Sequence, residues 1–247
     1  MSESVAAQLP KFTPLGPQHL LAVAVVLAVI TALTLFGRRL PVEGRERLGR
    51  IIGAVLLGYY LVESLVRVGS LGMRVSDTLP FELCSALFFI GAYAYWTQKP
   101  WAFDIIYFWT FAGTLHSLVT PTPRAGFPDL NYFQYFTAHG LLVLSAVYSV
   151  AVLRRVPARG SLWRAYLGLQ AFTVLVAIID YFSGMNYLYL RAKPPSPTML
   201  DAFGEWPWYL VGGETVALFS FTLWGLPFFI ARRRRAVTSP AAGGEST

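Results

Sequence analysis

The sequence predicts an all-α fold, a polytopic transmembrane bundle of seven helices, and two observations carry that expectation. The first is composition: 55% of the 247 residues are hydrophobic, only 13% are charged, and the mean hydropathy is +0.51. Soluble domains carry about 25% charged residues, so this balance points to lipid as the solvent. The second is patterning: seven apolar runs each approach the roughly 20 residues a helix needs to cross the hydrocarbon core. Backbone groups in lipid must pair within their own segment, so runs of this length are read as helices.

The runs follow in order. Leu20–Leu35 stops at Arg38–Pro41, and without a cationic leader or a small-residue cleavage site it reads as a retained helix. Ile51–Val68 ends where Gly69 opens a turn. Pro80–Trp96 begins on a proline, a residue suited to a helix's first turn, and stops before Lys99-Pro100. Trp101–Val119 is closed by Pro121, and Gln134–Leu153 lies between Pro128 and the Pro157–Gly160 break. Leu162–Phe182 precedes a polar stretch ending in Lys193–Pro197. Pro207–Ile230 ends in the block Arg232–Arg235. Residues 1–235 therefore form one seven-helix transmembrane domain. Residues 236–247, small and polar, are expected to be a disordered cytoplasmic tail.

Basic residues set the orientation. Arg38, Arg39, Arg45, Arg47, Arg50, Lys99, Arg154, Arg155, Arg159, Arg164 and Arg232–Arg235 fall on one side, fourteen in all. The other side keeps Lys11, Arg67, Arg74, Arg124, Arg191 and Lys193, six in all. The positive-inside rule then predicts N-out and C-in. The net charge of +7 is a topology signal of this kind, and nucleic acid is not an expected partner. Seven tryptophans suit aromatic belts at two interfaces, and a single cysteine excludes an internal disulfide. Short loops and arginine-rich composition suit a bacterial inner membrane.

Ionisable groups at bilayer depth are costly unless they face a partner or a cavity. Mapped on the predicted spans, His19, Glu63, Arg67, Glu82, Cys84, His116, His139, Asp180 and Glu214 all fall within roughly 10 Å of the outer boundary. Each has a structural reading. Glu63 and Arg67 are an i,i+4 ion pair. Glu82, third in a helix begun by Pro80, complements a helix start. Asp180 and Glu214 can pair with Arg191 or Lys193, and Asp104 beside Lys99 reads as an interface residue. Gly212 and Gly213 beside Glu214 permit close helix approach. Their shared depth is what makes them a candidate site.

Cys84 and His139 carry the sharpest chemistry. A lone cysteine in a membrane helix is most often a small filler. Near a helix N-terminus, with imidazoles at its depth, it is also a workable nucleophile, with Glu82, Asp180 or Glu214 as orienters. Tyr187 and Tyr189, within Asn186–Leu190, fit an interface belt or the lining of an acyl-chain entrance.

Several blocks resemble a bacterial membrane-protein family of the YwaF type. They are Leu79-Pro80-Phe81-Glu82-Leu83-Cys84; Thr120-Pro121 with Gly126-Phe127-Pro128; Tyr132-Phe133-Gln134-Tyr135-Phe136 with His139-Gly140; Asn186-Tyr187-Leu188-Tyr189-Leu190; and Trp206-Pro207-Trp208. That family is similar to the eukaryotic transmembrane protein 164 group of lipid acyltransferases. The resemblance implies an acyl-accepting Cys84 and a base at His139. The candidate catalytic set is then Cys84, His139, Glu82 and His116, and the candidate substrate-binding set is Asn186, Tyr189, Glu214 and Asp180. Membrane lipids are the implied partners, and neither metal nor other cofactor is implied. Three other readings use the same polar end: a transporter or receptor pocket, a zinc hydrolase holding metal on His19, His116 and His139, and haem between His116 and His139.

Overall fold

The computed structural model describes residues 10–70, 72–194 and 198–238, except for the side chains of Met199 and of residues 233–238. Those residues are helical, turn or irregular, with no strand among them. Helix α1 is Pro17–Arg39, α2 Val42–Gly69 and α3 Leu83–Thr97. Helix α4 begins as Pro100–Trp109, passes through a π-helical turn at Thr110–Thr114 and ends as Leu115–Val119. Helices α5 (Leu130–Ala151), α6 (Ser161–Ser183) and α7 (Trp208–Thr238) complete the bundle. Most of the predicted tail, 239–247, lies outside the described residues.

Local chemistry explains the ends. Prolines occupy the first turns of α1 and α4, where a missing N–H costs nothing. Asp129 caps α5 by accepting from the Asn131 amide at 2.8 Å. Gly184, at φ 74°, stops α6 in the left-handed conformation that glycine adopts without penalty. The third helix departs from expectation. It starts at Leu83 and not at Pro80, because Val75–Thr78 forms a separate 3-10 turn and Pro80 lies in the bend after it. Glu82 is therefore the N-cap and Cys84 the second helical residue.

Four helical segments are long and apolar enough to cross a membrane: Pro17–Arg39, Val42–Gly69, Ser161–Ser183 and Trp208–Arg232. Leu83–Thr97 is apolar but shorter. The other two have physical reasons to look different. Helix α4 is interrupted by its π turn, and the first half of α5 carries Asn131, Gln134, Tyr135, Thr137 and His139. These are also the innermost helices. Helix α4 touches α3, α5, α6 and α7, and Ala102, Phe103, Ile106, Phe108, Trp109 and Thr110 are all essentially buried. Large apolar side chains instead face outward along α1, α6 and α7, including Leu21, Val25, Leu167, Phe182 and Phe219. Such an inside-out distribution belongs to a multi-pass membrane protein.

Lipid gives helices little hydrophobic reason to associate, so close packing and internal hydrogen bonds must hold the bundle. Helix α2 meets α3 through Gly49 and Gly53, one turn apart, where a Cβ would come within 3.0 Å of the Tyr95 side chain. Buried Tyr95 in turn donates to the Ser145 carbonyl at 2.6 Å, tying α3 to α5. Tyr107 and Trp109 donate to the Trp224 and Ala165 carbonyls, each at 3.0 Å, tying α4 to α7 and α6. Each such bond contributes about 1 kcal/mol net.

The alternating helices give the bundle two ends. The acidic end gathers the starts of α1, α3, α5 and α7 with the ends of α2, α4 and α6. The opposite end holds the arginine blocks, where Arg38 donates to Ala151, Arg155 to Gln98 and Arg164 to Asp104. Asp104 is buried and bound to Arg164 at 2.7 Å, so its partner is this arginine and not Lys99.

Candidate active site at the acidic end

The site begins with the π turn of α4. A π turn carries one residue more than an α turn and rotates the residues beyond it, a device common at functional positions. Here it brings buried Thr114 against α3, with Oγ1 3.5 Å from Cys84 Sγ. The approach is close because Gly113 has no side chain. A Cβ there would stand 2.8 Å from Leu83 Cδ2. Cys84 itself is half-buried.

Helix α5 supplies the second wall. Its Tyr135 phenol donates to the Ser117 carbonyl at 3.0 Å and accepts from the Thr122 amide at 3.3 Å, tying α5 to the end of α4. The same phenol lies within electrostatic range of Cys84. One turn on, the His139 ring packs on the Tyr135 ring with centroids 4.3 Å apart. His139 Nδ1 is 2.7 Å from the Tyr135 carbonyl, which can only accept, so Nδ1 carries the proton and Nε2 is left with the basic lone pair. Glu63, half-buried on α2 and 4.0 Å from Arg67, is within electrostatic range of His139. Cys84 and His139 thus have different hydrogen-bond partners, and Tyr135 is the residue near both.

Glu82 and the α6–α7 connection form the third wall. Glu82 Oε2 accepts from the Leu188 amide at 3.3 Å. Leu188 and Tyr189 hold φ of 53° and 55°, left-handed values that non-glycine residues adopt only under constraint. The constraint is visible on either side. Asp180 Oδ1 accepts from the Tyr187 amide at 3.0 Å, the Tyr187 phenol donates to the Ser76 carbonyl, and the Tyr209 phenol donates to the Tyr189 carbonyl at 2.6 Å. Asn186 spends its amide on the loop, accepting from the Arg191 and Ala192 amides and donating to the Ala192 carbonyl. Farther along, Lys193 pairs with Glu205 at 2.9 Å and Asp201 at 3.4 Å. Glu205 raises the ammonium's pKa above the ordinary lysine value, and the Thr198 amide holds the Asp201 carboxyl below its own.

Asp180 is 1% exposed, and its Oδ2 has no hydrogen-bond partner among the described residues. Its carboxylate is in electrostatic range of Glu82 and Arg191.

The structure therefore gathers Cys84, Glu82, Asp180, His139 and Tyr189 at one end, and separates other candidates from them. His116 is exposed on the short end of α4. His19 is buried, accepting from the Leu15 amide at Nδ1 and donating to the Leu118 carbonyl at Nε2, both at 2.9 Å. Its ring is consumed in joining α1 to α4 and offers no lone pair to a metal. Among the described residues no group of three or more His, Cys, Asp or Glu is placed to hold a metal ion. Glu214 lies deeper than predicted: its Oε2 accepts from Gln170 at 2.8 Å and Tyr166 at 3.1 Å. Gln170 is ten residues before Asp180 on α6, about 15 Å along the axis. Two residues of the site, Thr114 and Tyr135, escape a reading of the sequence. The residue types give no signal for Thr114, whereas Tyr135 stands within a recognised block.

A relative described as an uncharacterized protein from Treponema pallidum (strain Nichols) is 27% identical over 187 residues, covering 74% of this chain and 76% of its own. No solved structure matches. The TMEM164 family model matches residues 14–225, through every helix that frames the site, and the chain belongs to the TMEM164 family.

Proposed function

We propose that this protein is a membrane-embedded lipid acyl-transfer enzyme, seven-spanning and N-out/C-in, that works at the extracytoplasmic face of a bacterial inner membrane. The family-level resemblance of the YwaF-type motifs to lipid acyltransferases motivates the reaction class. The observation that carries the assignment to this end is the placement of Cys84 Sγ 3.5 Å from Thr114 Oγ1 at a π turn, with His139 packed on Tyr135 at the same end of the bundle.

In this reading His139 Nε2 takes the proton of the Cys84 thiol. The sulfur attacks an ester carbonyl, the C–O bond breaks, and the leaving alkoxide takes a proton from the imidazolium. An acceptor hydroxyl, or water, then gives its proton to the imidazole and displaces the thiolate from the thioester, which is reprotonated as the thiol. Thr114 positions the sulfur, and Glu82 fixes the Leu188–Tyr189 corner. Tyr189, Asp180 and the loop shaped by Asn186 form the lipid-binding side.

A second reading, a non-enzymatic ligand-binding protein, is favoured by one observation. A buried carboxylate oxygen without a partner, Asp180 Oδ2, is the kind of group a ligand satisfies.

A lipid-like, thiol-reactive acyl probe distinguishes the two in purified protein. Adduct on Cys84, lost in Cys84→Ala and strongly slowed in His139→Ala, is expected from acyl transfer. A folded wild-type protein that takes no adduct would leave Cys84 as packing and favour ligand binding.

A further inference from the structure

At the arginine-rich end, remote from Cys84, a cleft of about 640 Å³ opens between the start of α6, the far end of α7 and the middle of α4. Its wall is apolar, built from Phe108, Leu162, Trp163, Leu226 and Phe228, and its mouth carries Arg159 and Arg232. Trp163 is exposed and Leu226 nearly half so, which places the wall against the surroundings of the bundle and not inside it.

The two arginines differ from their neighbour Arg164, which is already neutralised by Asp104 at 2.7 Å. Neither Arg159 nor Arg232 makes an ion pair among the described residues. Two uncompensated guanidiniums above an apolar slot, beside a tryptophan, ask for a molecule with an anionic head and a hydrocarbon tail. Basic pockets between membrane helices take such lipids, and guanidinium matches phosphate oxygens bidentately. The floor limits how much tail can enter. At Gly225 a Cβ would sit 3.5 Å from Leu162 and 3.6 Å from Phe108, so a methyl is tolerated and a larger side chain would fill the slot.

We infer that this cleft is a binding site for an anionic phospholipid, with Arg159 and Arg232 on the phosphate and an acyl chain along Leu162, Trp163 and Gly225. The inference rests on the membrane fold and does not depend on the acyl-transfer reading.

The test is native mass spectrometry of the detergent-solubilised protein titrated with phosphatidylglycerol or phosphatidylcholine. Wild type is expected to retain phosphatidylglycerol selectively. Arg159→Gln with Arg232→Gln should weaken retention about 25-fold, at about fivefold per basic residue. Gly225→Leu should weaken it with the charge intact, and soluble glycerol phosphate should not compete. A control pair with the same charge loss at the same end, Arg39→Gln with Arg47→Gln, should retain the lipid. Equal loss in the control pair would reduce the effect to diffuse attraction and overturn the site. Equal retention of phosphatidylcholine, or competition by glycerol phosphate alone, would overturn the lipid assignment.

Discussion

At the scale of single residues, the site depends on a contact that composition cannot announce. Thr114 has no charge and titrates nowhere near neutrality, yet it is the hydrogen-bonding neighbour of the only cysteine. Valine has nearly threonine's shape, so Thr114→Val should leave the bundle folded while removing the hydroxyl. Losing one hydrogen bond of about 1 kcal/mol predicts roughly fivefold slower adduct formation at Cys84, with Thr114→Ser restoring the rate. Rates measured by intact-mass spectrometry check this, and an unchanged rate in Thr114→Val would remove threonine from the site. The histidines show where residue-level reading stops. All three are legible in the sequence as polar groups near one end, because the apolar periodicity fixes depth. What each ring nitrogen bonds to depends on neighbouring helices: His19 is consumed by two backbone groups, His116 is exposed, and His139 bonds the Tyr135 carbonyl through Nδ1, which leaves Nε2 as its basic nitrogen.

At the scale of elements, hydropathy locates the helices and misses what happens inside and between them. The π turn in α4 leaves no trace in an apolar run, because one extra residue per turn does not alter composition. The connection between α6 and α7 reads in the sequence as a break carrying an interface or entrance segment at Asn186–Leu190, but how it folds back on the bundle through Asp180, Glu82 and Tyr209 is set by the tertiary structure. Gly212 shows the difference most sharply. The Gly212-Gly213 pair suggests close contact between helices, whereas Gly212 receives Phe203 from the 3-10 turn Met199–Phe203. A Cβ at Gly212 would lie 2.1 Å from Phe203 Cγ and 2.6 Å from its Cβ. Gly212→Ala must therefore expel the Phe203 ring and loosen the turn, an overpacking cost of about 1–3 kcal/mol. Limited proteolysis should cut between residues 184 and 207 faster, with helical content by circular dichroism unchanged. Gly213→Ala is the control, since its nearest neighbour is Leu200 at 3.8 Å. Equal protease resistance in both variants would show that Phe203 is not what secures the connection.

At the scale of the whole molecule, fourteen basic residues at one end against six at the other are readable from sequence alone, and the bundle assembles them as two ends. The bias also has a structural consequence: the arginine-rich end closes with arginine-to-carbonyl and arginine-to-carboxylate bonds, while the acidic end closes with tyrosine-to-carbonyl bonds. The charge rule predicts that the arginine-rich end faces the cytoplasm, and the single cysteine makes that testable with little background. In a Cys84→Ser chain, Ser70→Cys reports the exposed turn after α2 and Thr97→Cys the exposed end of α3. For N-out, C-in and seven crossings, a membrane-impermeant maleimide should label Ser70→Cys in intact cells and reach Thr97→Cys only after lysis. The reverse pattern would invert the orientation and move the Cys84 site to the cytoplasmic face, where its acyl donors and acceptors would be inner-leaflet lipids. Labelling of both from outside would mean that α3 does not cross the bilayer, and the count of seven would fail at its shortest uninterrupted helix.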